Sequence, residues 1–297
     1  MMNKITRDNF FRTSDDAIIY FEDYSKDKSD VIVLIPGFCC TTNFFANNVS
    51  GLSKEHRVIT FDPRGQGKSS KGLQGHTIRR NCQDIKELLD HLDVKDVTML
   101  GWSMAGQYIV RYFDLYKNHR IKALGLIDCP LGAAYDEDWN QHGLKGFNIT
   151  RFNKKMEIST NNNLEYCTKF SHMMYDGIDG VDEAKIIWAA EEMVQTPTWI
   201  SFAIYYDLVM QNGFELLEKI DVPMVFFGAN GTVTANGKEL AEKWWPKAAK
   251  QVPYYESYGF EHGGHVFFDV YPDEFNEKLL HFINSVNEKT YERYCKK

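Results

Sequence analysis

Four short runs of apolar residues recur in the first 130 positions: Asp30–Pro36 (DVIVLIP), Arg57–Phe61 (RVITF), Val97–Leu100 (VTML) and Ile121–Ile127 (IKALGLI). A strand with one wet face alternates polar and apolar residues, so runs that barely alternate predict strands covered on both sides. Such strands belong to a parallel sheet packed between helices, and the chain between them must supply those helices. The segment Thr77–Leu92 supplies one. Its apolar residues at 78, 82, 85, 88, 89 and 92 fall on a single helical face, with Thr77 as the N-cap.

The alternation of strand and helix lapses between about Leu131 and Gly213. This stretch holds a dozen aromatic residues, among them Tyr135, Trp139, Phe147, Tyr175, Trp188, Trp199 and Tyr206, and half of the ten methionines. It also contains the polar run 158–163 (ISTNNN) and offers no buried strand, so it reads as several helices with loops. Strand character returns at Val222–Phe227 and Val252–Ser257, and a last helix is expected from Asp273 to about Val286. The 297 residues are therefore read as one α/β sheet domain, 1–130 and 214–297, interrupted by a helical insertion, 131–213.

Composition narrows the function classes. Hydrophobic residues make up 43% and charged residues 25%, enough for a substantial core, and the net charge is −7. A mildly acidic chain without a dense Lys/Arg cluster lacks the footprint of a nucleic-acid binder or of a protein for anionic membrane surfaces. No apolar run approaches the ~18–20 residues of a membrane span, and the first residues lack a secretion-type apolar stretch, so a cytoplasmic location is expected. The six cysteines, Cys39, Cys40, Cys82, Cys129, Cys167 and Cys295, form no CxxC pair and no ligand spacing with histidine. Free thiols are expected, with no metal site and no cofactor.

The segment carrying the most chemistry is Val97–Gly106, VTMLGWSMAG. A strand runs into Gly101, Ser103 sits at the turn, and a helix begins at once with Ala105 and Gly106. A turn this sharp presses its flanks together, which explains the small residues at 101 and 105. The serine hydroxyl is exposed at the sheet edge, and the helix N-terminus behind it brings the Met104 amide to where it can stabilise an oxyanion. Gly-x-Ser-x-Ala in this context is a close variant of the nucleophile elbow.

The sequence resembles the α/β-hydrolase superfamily, in particular capped serine-nucleophile esterases and cofactor-free haloperoxidases. The resemblance covers nearly the whole chain. Ile35-Pro36-Gly37-Phe38 resembles the family's His-Gly loop, with Pro36 in place of histidine, and Asp62–Ser69 (DPRGQGKS) matches a second signature. The elbow and a late histidine segment, Gly263-Gly264-His265, complete the order. The resemblance implies a mostly parallel central sheet covered by helices, the insertion forming a helical cap over the nucleophile. It implies His265 as the base, with His262 as a rival, and Phe38 and Met104 as the oxyanion-hole amides. Cys39 and Trp102 are grouped with the pocket residues, Cys40 and Cys129 are expected as small pocket-wall residues, and Asp62 and Arg64 as loop braces.

The acid departs from the usual pattern. Most of the family carries it in the turn after the strand that here ends at Phe227, but this turn reads Gly228–Thr234 (GANGTVT) and holds no carboxylate. A variation within the superfamily moves the acid to the end of the preceding strand, where this chain has Asp128, 25 residues beyond Ser103. Asp128 is therefore the expected triad acid, with a purely structural aspartate as the other reading.

A serine nucleophile favours acyl chemistry. Dehalogenation and epoxide hydrolysis need a carboxylate at the elbow, since an alkyl–serine ether could not be hydrolysed. The expected function is hydrolysis of a small to medium hydrophobic carboxylic ester or lactone. Perhydrolysis, acyl transfer and C–C bond hydrolysis would use the same residues, and a slow-turnover binding protein is the non-enzymatic alternative. The expected partner is a small-molecule substrate, not nucleic acid or membrane, and a homo-oligomer is compatible with this reading.

Overall fold

The apolar runs all become strands of one sheet. The computed structural model describes residues 7–140, 145–146, 148–261 and 263–289. The strands are β1 (Phe10–Arg12), β2 (Ile18–Tyr24), β3 (Val31–Ile35), β4 (Arg57–Phe61), β5 (Val97–Trp102), β6 (Ile121–Ile127), β7 (Met224–Ala229) and β8 (Tyr255–Phe260). They lie in the order β1-β2-β4-β3-β5-β6-β7-β8. The pairs β1–β2 and β2–β4 are antiparallel and all others are parallel. Ile32, Val33, Leu34 and Ile35 of β3 are all fully buried, as is nearly every residue of β5 and β6. Each such side chain contributes roughly 2 kcal/mol of transfer free energy, which is why the runs carry so little polar alternation.

Three helices follow the early strands: α1 (Ala46–Leu52), α2 (Ile78–His91) and α3 (Ala105–Tyr116). The helix expected at 77–92 is α2. The Thr77 side chain accepts from the Arg80 amide at 3.1 Å, and the Asp207 carboxylate accepts from the Ile78 amide at 2.6 Å. Two otherwise orphaned first-turn donors are thus satisfied, one locally and one by a residue far along the chain.

Between β6 and β7 come α4 (Ile149–Asn161), α5 (Asn163–Tyr175), α6 (Glu183–Val194) and α7 (Thr198–Val209). Asn148, Asn162 and Asp182 cap the first three of them. The polar run at 158–163 is therefore a helix junction: it ends α4 and caps α5 through Asn162. After β7, α8 (Gly237–Glu239) continues through a π-helical turn, Leu240–Trp244, into α9 (Trp245–Ala248). The chain then closes with α10 (Phe267–Val270) and α11 (Pro272–Asn287). No helix among the described residues is long and apolar enough to cross a membrane.

The structure adds and shifts elements. The hairpin β1–β2 has no expected counterpart, because β1 is a three-residue edge strand and β2, next to it, reads as an apolar run followed by a polar one and is partly exposed. Strand β8 begins at Tyr255, three residues later than expected, because Pro253 has no N–H to give to a ladder.

Candidate active site

The elbow forms where the sequence puts it. Ser103 stands between β5 and α3 with φ +55°, in the left-handed region that costs a non-glycine residue of order 1–3 kcal/mol. Hydrogen bonds hold it there: its amide donates to the Ile127 carbonyl at 2.8 Å, and its carbonyl accepts from the Gly106 amide at 3.0 Å. A Cβ added at Gly101 would stand 2.5 Å from the Ala105 carbonyl oxygen, so the turn closes only with glycine at that position. A Cβ at Gly37, in the loop after β3, would stand 2.9 Å from Ser103 Cβ. That loop therefore packs directly against Ser103.

The loop after β3 turns sharply, with the Cys40 amide donating to the Gly37 carbonyl at 3.2 Å and Cys39 at φ +58°. Phe38 and Met104 are both buried. Neither of their amides donates to an acceptor among the described residues. Buried backbone donors are nearly always paired, so these two are exceptions.

Asp128 follows β6 with φ +45° and is almost wholly buried. Its Oδ2 lies 2.5 Å from His265 Nδ1. Burial pushes the Asp128 carboxyl above its ordinary value, and the contact with His265 works the other way. The turn after β7 is indeed without a carboxylate. It serves the histidine loop through the Asn230 carbonyl, which accepts from the Gly264 amide at 3.0 Å.

His265 is held from several sides. Its amide donates to the Met174 carbonyl of α5 at 2.7 Å, and its carbonyl accepts from Trp102 Nε1 at 2.9 Å. Its Nε2 is buried and has no hydrogen-bond partner among the described residues. The rival His262 lies outside the described residues, as do Phe147 and Cys295.

Three pocket expectations are corrected. Trp102 is fully buried and does not face the ligand cavity: its indole is packed by Phe44, Phe45 and Phe268 and spends its N–H on the His265 carbonyl. Cys39 is likewise buried, near Cys167 and Thr196. Cys129 is no wall residue either; its thiol lies beneath Gly106 and donates to the Gly101 carbonyl at 3.2 Å. Burial raises the Cys39, Cys40 and Cys129 thiols well above their usual range, which suits packing and not nucleophilic attack. Asp62 and Arg64 brace loops: Asp62 accepts from the Thr42 and Lys68 amides, and Arg64 forks onto Asp15 and Asp84.

A cavity of about 50 Å³ opens at Ser103, lined by Phe38, Pro130 and Val233 from the segments 1–130 and 214–297 and by Ala133, Lys155, Phe170, Met173, Tyr205 and Leu208 from the insertion, with Thr232 at one side. The aromatic residues singled out by the sequence are elsewhere: Tyr135, Trp199 and Tyr206 are exposed, and Trp139 stacks on Phe214. Sequence reasoning also missed a buried cluster in which Tyr175 Oη donates to Asp269 Oδ2 at 2.9 Å and Lys185 pairs with the same carboxylate at 2.7 Å. That cluster ties α5 and α6 to α10, just beyond His265. No local pattern announces it, since its members lie on three separate helices.

Comparison with known proteins agrees with this architecture. Residues 30–148 match the family model described as the alpha/beta hydrolase fold. The sequence is 30% identical over 52% of its length to the dihydrolipoyllysine-residue acetyltransferase component of the acetoin cleaving system of Pseudomonas putida, a match covering 42% of that protein. It is 24% identical over 46% of its length to the bifunctional esterase/perhydrolase DCH of Acinetobacter calcoaceticus, covering 49% of it. The chain thus spans less than half the length of these two relatives. Among solved structures, an esterase from Exiguobacterium antarcticum superposes with a TM-score of 0.81 at 20% identity, over 93% of this chain and 99% of that one. The chain has the α/β-hydrolase fold, and its residues 30–148 carry that family's match.

Proposed function

We propose that the protein is a serine hydrolase acting on small to medium hydrophobic carboxylic esters or lactones, with Ser103, His265 and Asp128 as its triad and residues 131–213 as its cap. The observation that carries this reading is the buried Asp128–His265 pair, 2.5 Å between Oδ2 and Nδ1, on the same sheet edge as the strained Ser103. His265 Nε2, otherwise unpartnered, takes the Oγ proton as Oγ bonds to the scissile carbonyl carbon. The carbonyl oxygen gains charge facing the free amides of Phe38 and Met104. Collapse of the tetrahedral species breaks the bond to the leaving alkoxide, which receives the proton from His265. A water then repeats the sequence on the acyl-enzyme, releasing the acid and restoring Ser103. Asp128 holds the imidazole in the tautomer with the proton on Nδ1 and stabilises the imidazolium between the steps.

A second reading, perhydrolysis, uses the same acyl-enzyme with peroxide in place of water. The similarity to the bifunctional esterase/perhydrolase favours it as a side activity. A fluorophosphonate probe tests the shared intermediate. It is expected to label the native protein and not Ser103→Ala; equal labelling of the two would remove Ser103 from the mechanism. A p-nitrophenyl ester series from acetate to octanoate gives the chain-length preference.

A further inference from the structure

The cavity at Ser103 is walled by apolar side chains with one cation among them, Lys155. Lys155 is placed on α4, in a run Arg151-Phe152-Asn153-Lys154-Lys155-Met156 whose Phe152 and Met156 pack on the core. Lys169 pairs with Glu165 and Lys185 with Asp269, while Lys154, without an ion pair among the described residues, is exposed to water; Lys155 is partly buried. Lys155 has no carboxylate within ion-pair distance among the described residues, and the charge that acts on it is the like charge of Arg151, one helical turn away. Burial, with that repulsion added, lowers its pKa.

A partly buried lysine lining an apolar cavity without a counter-ion is an unfavourable arrangement in the empty site. It becomes favourable when a ligand brings the anion. A single cation with no cluster of further donors suits a carboxylate better than a phosphate, which calls for several. The apolar lining suits a short hydrocarbon spacer between that anion and the reacting carbonyl.

We propose that Lys155 is the specificity-determining residue of the cavity and selects substrates that carry a free carboxylate beyond the scissile carbonyl, such as half-esters of dicarboxylic acids or carboxylate-bearing lactones. The inference rests on the hydrolase reading for the reaction, and on the cavity alone for the recognition.

The test compares monomethyl glutarate with methyl pentanoate, two methyl esters of equal chain length, on the wild type, Lys155→Met and Lys155→Arg. The ratio of kcat/KM for the half-ester over the neutral ester is expected to fall about tenfold or more in Lys155→Met, the loss of one charge-assisted hydrogen bond, and to be largely retained in Lys155→Arg. An unchanged ratio in Lys155→Met overturns the proposal. Calorimetry with monomethyl glutarate on Ser103→Ala reads recognition without turnover. Binding that disappears in Ser103→Ala/Lys155→Met supports the proposal, and absence of binding in Ser103→Ala overturns it. Should fluorophosphonate fail to label Ser103 while Lys155-dependent binding persists, the hydrolase reading falls and the carboxylate site stands.

Discussion

His265 Nδ1 and Asp128 Oδ2 stand 2.5 Å apart, with each side chain only 1% exposed. At that burial the carboxylate has little water to compete for it, so its orienting effect on the imidazole is strong. Asp128→Asn should keep the fold, because asparagine tolerates the φ of +45° found at this position. It should lower kcat by about 10⁴-fold, as expected when the imidazole is held in the wrong tautomer. The check is ester turnover beside a thermal melt. Turnover near that of the wild type in a folded variant would leave Asp128 with a structural role alone.

Gly37 sits where its missing side chain makes room for Ser103. A methyl group there would approach Ser103 Cβ to 2.9 Å and the Trp102 carbonyl oxygen to 3.2 Å, so the loop or the serine has to shift by a few tenths of an ångström. Gly37→Ala is expected to lower kcat/KM by about 10²-fold through misplacement of the reacting atoms, with a smaller effect on stability. Steady-state kinetics set against a urea melt separate the two; a variant with full activity would show that the loop yields freely.

Arg64 donates to both oxygens of Asp84 at 2.8 and 2.7 Å and to both oxygens of Asp15 at 2.9 and 2.8 Å. A lysine cannot reproduce that planar double fork, and Asp84 is almost completely buried. Arg64→Met would leave the buried Asp84 carboxylate to Arg80 alone among the described residues, at 2.8 Å, and a loss of about 2 kcal/mol in unfolding free energy is expected. Arg64→Lys should recover only part of it. Chemical denaturation of the three proteins measures both steps.

Asp62 gives a pH signature. It is buried, and desolvation raises its carboxyl from the usual 3.8 to about 6, against the pull of the Lys68 and Thr42 amides. Between those values the folded state binds more protons at this site than the unfolded state, so its contribution to stability declines as pH rises from about 4 to 6. The full swing amounts to about 3 kcal/mol at about 1.4 kcal/mol per pKa unit. Asp62→Asn lacks the titration. The stability difference, wild type minus variant, should therefore shrink as pH increases across that window. Urea titrations at pH 4, 5, 6 and 7 measure it, and a difference that stays flat would refute the raised value.

Much of the architecture was legible because it depends on local pattern. A strand buried on both faces needs nearly continuous apolar residues, so β3, β4, β5 and β6 announced themselves, and Thr77 with one apolar face announced α2. The edge hairpin β1–β2 did not, since a partly exposed strand imposes weaker constraints on sequence. The start of β8 was misplaced because the aromatic run outweighed the proline within it.

At the site, Ser103 was readable because a sharp strand-to-helix turn demands small residues at fixed spacings, and those spacings survive in the linear sequence. The sequence by itself therefore determined the sheet, the elbow and the absence of an acid after β7. Only the tertiary structure decided that Asp128 reaches His265 across 137 positions, that Trp102 holds the histidine loop and does not face the cavity, and that Lys155 lines the cavity of Ser103 without a counter-ion among the described residues. These are contacts between segments distant in the chain. No periodicity encodes them, because the side chain that neutralises a charge or fills a wall is fixed by packing in three dimensions and not by its neighbours in sequence.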